Sequence, residues 1–176
     1  MRVTGGRLKG QRLFYPRSGI RPTKEITRQA IFNILGNEVA GARVCDLFAG
    51  GGALGIEAVS RGARTAVFVE KSAVVLPYLH KNVAQIGDVR VIRGDVLRIV
   101  PKLKGAAFDI VFADPPYQKG LGQKTIEVVF KCEILRPGGV LILEHNGEET
   151  LVVPEKAAVV RQERYGESVV TIFRRC

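Results

Sequence analysis

Residues 43–55 read Arg43-Val44-Cys45-Asp46-Leu47-Phe48-Ala49-Gly50-Gly51-Gly52-Ala53-Leu54-Gly55. Arg43–Leu47 is a short strand, and Gly50, Gly52 and Gly55 fit G-x-G-x-x-G at the head of a helix over Ala53–Arg61. Glycines in that pattern permit a tight turn and let a ligand approach a helix N-terminus closely. Glu70 closes the next strand, Thr65–Glu70, twenty residues beyond Gly50, where an acid can hold ribose hydroxyls.

Strands and helices alternate from there on. The pattern predicts a helix over Ser72–Ile86 that Pro77 kinks or delays, and a strand at Val89–Arg93. A short helix over Val96–Leu103 is interrupted by Pro101. Phe108–Ala113 reads as a strand buried on both faces. A helix over Thr125–Glu133 and a turn at Arg136-Pro137-Gly138-Gly139 precede a strand at Val140–His145. Two β runs, Lys156–Tyr165 and Ser168–Arg174, flank Gly166-Glu167 as a terminal hairpin. This alternation implies an α/β protein with a mostly parallel sheet, helices on both faces and an antiparallel edge. Ligands of such sheets sit at the carboxyl ends of the strands.

Upstream, Val3 and Leu8–Phe14 are expected to form a small hairpin around Gly5-Gly6. A helix then opens at Pro22-Thr23, with Thr23 as N-cap and Ile26, Ala30, Ile31, Ile34 and Leu35 as one apolar face. Residues 1–40 thus form an extension in front of a catalytic-looking domain, 41–176, within one compact unit. The chain of 176 residues carries a net charge of +10. Eight basic residues and one acid between Met1 and Arg28 supply +7 of it. A concentrated basic arm points to a polyanionic partner, with RNA or DNA first. Arg2, Arg7, Lys9, Arg12, Arg17 and Arg21 are its candidate contacts. The alternative is a solvated arm that aids solubility.

No apolar run is long enough to span a bilayer, and the N-terminus lacks the apolar stretch of a signal peptide. Cys45, Cys132 and Cys176 are scattered and odd in number. That argues for a reduced, cytosolic compartment and against a disulfide framework or zinc site. Two histidines are too few for a typical metal cluster. No surplus apolar element suggests self-association, so a monomer is expected.

Charge decides the cofactor class. A dinucleotide would set a pyrophosphate over the glycine turn, where Asp46 and Asp114 would repel it. S-adenosylmethionine carries a sulfonium and an ammonium and no phosphate, so it fits the acids. Asp95, after the third strand, is placed to accept from an adenine amino group and to cap the following helix, two roles that can hold together. Asp46, Phe48, Gly50, Gly52, Glu70, Lys71, Asp95, Val96 and Asp114 make up the candidate cofactor set.

The sharpest signal is Asp114-Pro115-Pro116-Tyr117. Each proline fixes its own φ, and Pro115 forces Asp114 extended. The result is a stiff ledge where a carboxylate and a backbone carbonyl can accept both protons of an exocyclic amino group. Tyr117 offers a flat face for stacking a base. These four are the candidate catalytic residues.

Together these features resemble a known family. Arg21-Pro22-Thr23 leads a helix with Phe32-Asn33. Asp46-Leu47-Phe48-Ala49-Gly50, Gly52-Ala53-Leu54-Gly55, Asp114-Pro115-Pro116-Tyr117 and the Tyr165-Gly166 hairpin then follow in order. The ensemble is similar to the RsmD family of bacterial small-subunit rRNA guanine-N2 methyltransferases and covers essentially the whole chain. The family more often has Ser where this chain has Gly51. The resemblance implies a Rossmann-like class I methyltransferase fold with a seven-stranded sheet. It implies methyl transfer from S-adenosylmethionine to guanine N2 of 16S rRNA, of the position-966 type, within a small-subunit particle. Residue chemistry alone leaves open adenine-N6 methylation of DNA or RNA, and a non-catalytic RNA-binding assembly factor.

Overall fold

A computed structural model describes residues 1–16, 25–117 and 120–176. The first described helix is α1 (Glu25–Leu35). Then follow β1 (Arg43–Leu47), α2 (Ala53–Ser60), β2 (Thr65–Glu70), α3 (Leu76–Val83), β3 (Val89–Arg93) and α4 (Val96–Ile99). The chain closes with β4 (Phe108–Ala113), α5 (Leu121–Lys131), β5 (Leu135–Asn146), β6 (Ala157–Tyr165) and β7 (Ser168–Arg175). The bounds of β1 to β4 match the sequence reading; β2 ends on Glu70, β3 is followed by Gly94 and β4 by Asp114.

The strands form a seven-stranded sheet in the order β3-β2-β1-β4-β5-β7-β6. β1 to β5 run parallel, and β7 is antiparallel to both its neighbours. The chain enters at the centre, winds outward to β3, and returns to β4 on the other side of β1. Strand order therefore reverses between β1 and β4, the place where open α/β sheets bind ligands.

Each sheet face is buried by a separate layer. Val44, Phe68, Phe112 and Ile142 pack with Ile31 and Phe32 of α1, Ile56 of α2 and Leu79 of α3. On the opposite face Cys45, Val69, Val111 and Leu141 pack with Val96 and Ile99 of α4 and with Ile126, Val129 and Phe130 of α5. Alternate strand residues point to opposite faces, so β1, β2, β4 and β5 are apolar throughout their centres.

Proline places the helix starts. Pro77 sits in the first turn of α3 and delays it to Leu76, where a missing N–H costs nothing. Pro101 converts the end of α4 into a 3-10 turn over 100–103. α5 begins four residues before the expected Thr125. Gly120 adopts φ 76° at its N-cap, and Gln123 bonds the Val152 backbone in both directions, so a contact distant in sequence holds the first turn. Arg136-Pro137-Gly138-Gly139 is a bulge inside β5 instead of a turn before it. Leu135 already pairs with Phe108, and the ladder resumes at Val140 opposite Ile110.

The N-terminal hairpin is shorter than expected. Its single bridge joins Arg2 and Arg12, with Val3 N–H donating to Gln11 O and Leu13 N–H to Met1 O. The tip turns away to bond α2: Arg7 N–H donates to Ser60 O and Leu8 N–H to Ser60 Oγ. Val3 and Leu13 join the core layer of α1 to α3. The apolar face of α1 also differs from the expectation. Ile26 is 74% exposed, and Thr27, Arg28, Ile31, Phe32 and Leu35 face inward. Arg28 takes the place expected of an aliphatic residue because its charge is met. Its guanidinium lies 3.4 Å from Glu57 and donates to Arg2 O, and Glu57 also binds Thr4 and Arg61. The expected cap at Thr23 lies outside the described residues.

Candidate active site

A cavity of about 500 Å³ opens at the carboxyl ends of the parallel strands. Asp46, Phe48, Gly50, Glu70, Lys71 and Val96 of the expected cofactor set line it, together with all four residues of the Asp114–Tyr117 ledge. Gly52 does not. It takes φ 88° at the α2 N-cap, and a Cβ there would meet Leu79 and Ile56, so it serves the turn and the packing. Gly55 likewise lets α2 approach Phe68. Asp95 also lies outside this cavity. Its carboxylate caps α4 by accepting from Leu97 N–H at 3.0 Å, and Lys71 stands 4.0 Å from it beside a smaller adjoining pocket. The cap, one of its two expected roles, is made.

The glycine turn is held from below by acids. Glu70 accepts from Gly50 N–H at 2.8 Å and from Ser72 N–H at 2.7 Å. Asp46 accepts from Gly55 N–H at 2.8 Å. Phe48 sits at φ 60°, a strained conformation for a non-glycine residue and one that clusters at functional sites. Asp46 is fully buried, and burial pushes its carboxyl well above the usual aspartate range. The Gly55 N–H opposes that shift, while the nearby Asp114 and Glu70 carboxylates add to it. Burial thus weakens the expectation that Asp46 itself repels a phosphate, since it works against the charged form. The crowding of like charge persists, and a cationic ligand would relieve it.

The ladder registers align these acids. Leu47 pairs with Val69 and with Ala113, and Ala113 pairs with Leu143. One residue further on, Glu70, Asp114 and Glu144 stand level on one side of the sheet, and Asp46 lies two residues lower on that side. The cavity is thus acidic along its floor. Phe48, Val69, Val75 and Val96 form apolar walls that suit a flat ring. The chemistry of this lining fits S-adenosylmethionine, with acids for its cationic end and apolar side chains for its base.

Tyr15, Glu144 and Ser168 are among the lining residues that escaped the sequence reading. Tyr15 comes from the arm and lies against Gly51, where an added Cβ would collide with its ring. Its hydroxyl donates to Met1 Sδ at 3.4 Å. Asn82 of α3 fixes this contact by donating to Phe14 O and Gly51 O while accepting from Phe14 N–H. Ser168 starts β7 and shares a hydrogen bond with the Tyr117 hydroxyl. Glu144 had one available signal: like Glu70 and Asp114, it is the first acid after a buried apolar run.

Arg2, Arg7, Lys9 and Arg12 are exposed on the arm; Arg17 and Arg21 lie outside the described residues. Arg28, counted in the arm's charge, is buried against Glu57 and unavailable to a partner. His145 is structural: its Nδ1 donates to Asn146 O and its Nε2 pairs with Thr171 Oγ1. The three cysteines are free thiols. Among the described residues no group of His, Cys, Asp or Glu has the arrangement of a metal site, and no helix is long and apolar enough to cross a membrane.

The sequence profile of the family described as conserved hypothetical protein 95 matches residues 1–174. Ribosomal RNA small subunit methyltransferase D of Escherichia coli is 34% identical over 99% of this chain and 90% of its own length. This chain belongs to the RsmD family. The Haemophilus influenzae member of the same name is 28% identical over 94% of the chain and 89% of its own length. Among solved structures, the yhhF protein of Escherichia coli superposes with a TM-score of 0.91 at 32% identity, covering 99% of this chain and 97% of that one. SMU.776, solved with SAH, shares the fold alone, with a TM-score of 0.72 at 16% identity over 89% of this chain and 51% of that one. The RsmD family is one of methyltransferases, and its α/β Rossmann-like architecture is the one described above.

Proposed function

We propose that this chain methylates the exocyclic N2 amino group of a guanine in 16S rRNA, of the position-966 type, using S-adenosylmethionine. The observation that carries this reading is one cavity joining the glycine turn of β1 to the Asp114–Tyr117 ledge of β4. Relatives named for small-subunit rRNA methylation supply the substrate class.

S-adenosylmethionine supplies a methyl group already activated by its sulfonium, so the protein's task is mainly orientation. Glu70 holds the ribose hydroxyls while keeping its bonds to the turn, since a carboxylate has about four acceptor sites. Asp114 faces the cationic end. The Val96 and Phe48 side chains enclose the adenine ring, and Lys71 and Asp95 border its edge. The target guanine is swung out of the RNA and stacked on Tyr117. Asp114 and the Pro115 carbonyl accept its two amino protons, which turns the nitrogen lone pair toward the methyl group. The N2–CH3 bond would form as the S–CH3 bond breaks, S-adenosylhomocysteine would leave as the neutral thioether, and Asp114 would take up the proton that N2 loses.

The arm, residues 1–40, is the RNA-binding extension of the methyltransferase unit 41–176. Arg2, Arg7, Lys9 and Arg12 meet phosphates, and Arg17 and Arg21 belong to the same set of contacts. The protein works as a cytoplasmic monomer on a small-subunit particle. Incubating undermethylated small subunits with labelled cofactor, then mapping the label by nucleoside analysis, tests the reading. N2-methylguanosine in 16S rRNA is expected; label in N6-methyladenosine, or none, overturns it.

A further inference from the structure

Asp114 and Tyr117 can hold an amino group against a flat face, but adenine and cytosine also carry exocyclic amino groups. Something must choose among them. The β4–β5 ladder places a second carboxylate beside the first. Ala113, the last residue of β4, pairs with Leu143, so Asp114, the first residue beyond β4, and Glu144 of β5 each follow that pair by one residue, and both line the same cavity. Neighbouring strands lie about 4.8 Å apart. Glu144 is 8% exposed and lines the same cavity as the ledge, and Ser168, bonded to Tyr117, closes that end.

We infer that Glu144 is the residue that selects guanine. The inference rests on the methyl-transfer reading above and names the base it acts on. On guanine the amino group at C2 adjoins N1–H, so the edge offers three N–H donors in a row. Asp114 and the Pro115 carbonyl take the two on N2, and an oxygen of the Glu144 carboxylate takes N1–H. On adenine the atom beside the amino group is N1, and on cytosine it is N3. Both present a lone pair there, which would face the Glu144 oxygens. A flipped base is read along this edge. A pocket built to bond one N–H rejects an analogue lacking it, because its own polar group is left unpaired.

The test keeps the amino group and removes only N1–H. Small-subunit particles are assembled on 16S rRNA carrying guanine, 2,6-diaminopurine or adenine at the mapped target nucleotide. 2,6-Diaminopurine retains the N2 amino group but has a lone pair at N1. The wild-type enzyme is expected to methylate it with kcat/KM at least about 100-fold below guanine. Glu144→Gln, whose amide can donate to that lone pair, should narrow the ratio at least about tenfold, with cofactor Kd unchanged and Glu144→Asp partly retaining the preference. Guanine and 2,6-diaminopurine methylated at similar rates by the wild-type enzyme would overturn the assignment, as would a Glu144→Gln variant that slows both equally. The wild-type comparison stands even if a variant fails to fold. Absence of label on the guanine particle would instead sink the underlying methyl-transfer reading, so the two failures are distinguishable.

Discussion

The carboxyl edge of the sheet and the N-terminal arm treat charge in opposite ways. At the edge, four acids line one cavity, and burial pushes the Asp46 carboxyl up from its usual range. Among the described residues of the arm, Arg2, Arg7, Lys9 and Arg12 are exposed to solvent, whereas Arg28 turns in against Glu57. The edge concentrates like charge where a cationic ligand can relieve it. The arm disperses like charge where a polyanion can collect it. A net charge read from sequence treats both alike, yet the partner each can hold depends on which charges are buried and what meets them.

Removing the ledge acid should separate chemistry from binding most sharply. Asp114→Ala should lower methyl transfer about a thousandfold, since an amino group is then no longer oriented. Cofactor Kd by calorimetry should change far less, and a near wild-type rate would remove Asp114 from the mechanism. The arm's buried cation can be broken as cleanly. Glu57→Ala strands Arg28 and frees Thr4 and Arg61, so urea unfolding should show a loss of about 3–5 kcal/mol. Unchanged stability would mean that the arm docks by apolar contact alone.

Asp46→Asn probes the opposite sign. A carboxyl whose folded value is raised binds its proton more tightly when folded, so wild-type stability falls as pH rises from the usual aspartate range toward that raised value. The amide does not titrate and can still accept from Gly55 N–H. Without cofactor, Asp46→Asn should therefore gain stability over wild type as pH rises, while cofactor binding weakens. A pH-independent difference in melting temperature would refute the burial argument. The smallest effect belongs to single exposed cations. Arg7→Ala with Lys9→Ala should reduce the slope of log affinity for rRNA against log salt by about 0.7 per contact. Cofactor affinity should not move, and an intact slope would place the RNA elsewhere.

Much of this was legible in the chain. β1 to β4 are short β-branched or apolar stretches, β3 alternating with arginines, and the acids and glycines after them lie in contiguous motifs. The delay at Pro77 followed from one missing N–H. What escaped depended on partners remote in sequence. Residues 121–124 looked like a loop because Gly122 is a poor helix former, but Gln123 finds Val152. Ile26 fitted an apolar periodicity, yet Arg28 is buried because Glu57 comes from another helix. Tyr15 and Ser168 enter the cavity from an arm and an antiparallel strand, and no local spacing connects them to it.

The sequence by itself determined the strand order of events: where strands end, which residues follow them, and that an acid, a glycine turn and a proline-stiffened ledge occur in succession. Those are local properties, set by φ restrictions and by apolar runs too short to be anything but buried strands. Only the tertiary structure decided which acids stand level. That depends on the register of β1, β2, β4 and β5, fixed by cooperative ladders between segments distant in the chain. Through that register Glu144 comes to lie beside Asp114, and an amino-group acceptor gains the neighbour that can recognise one base.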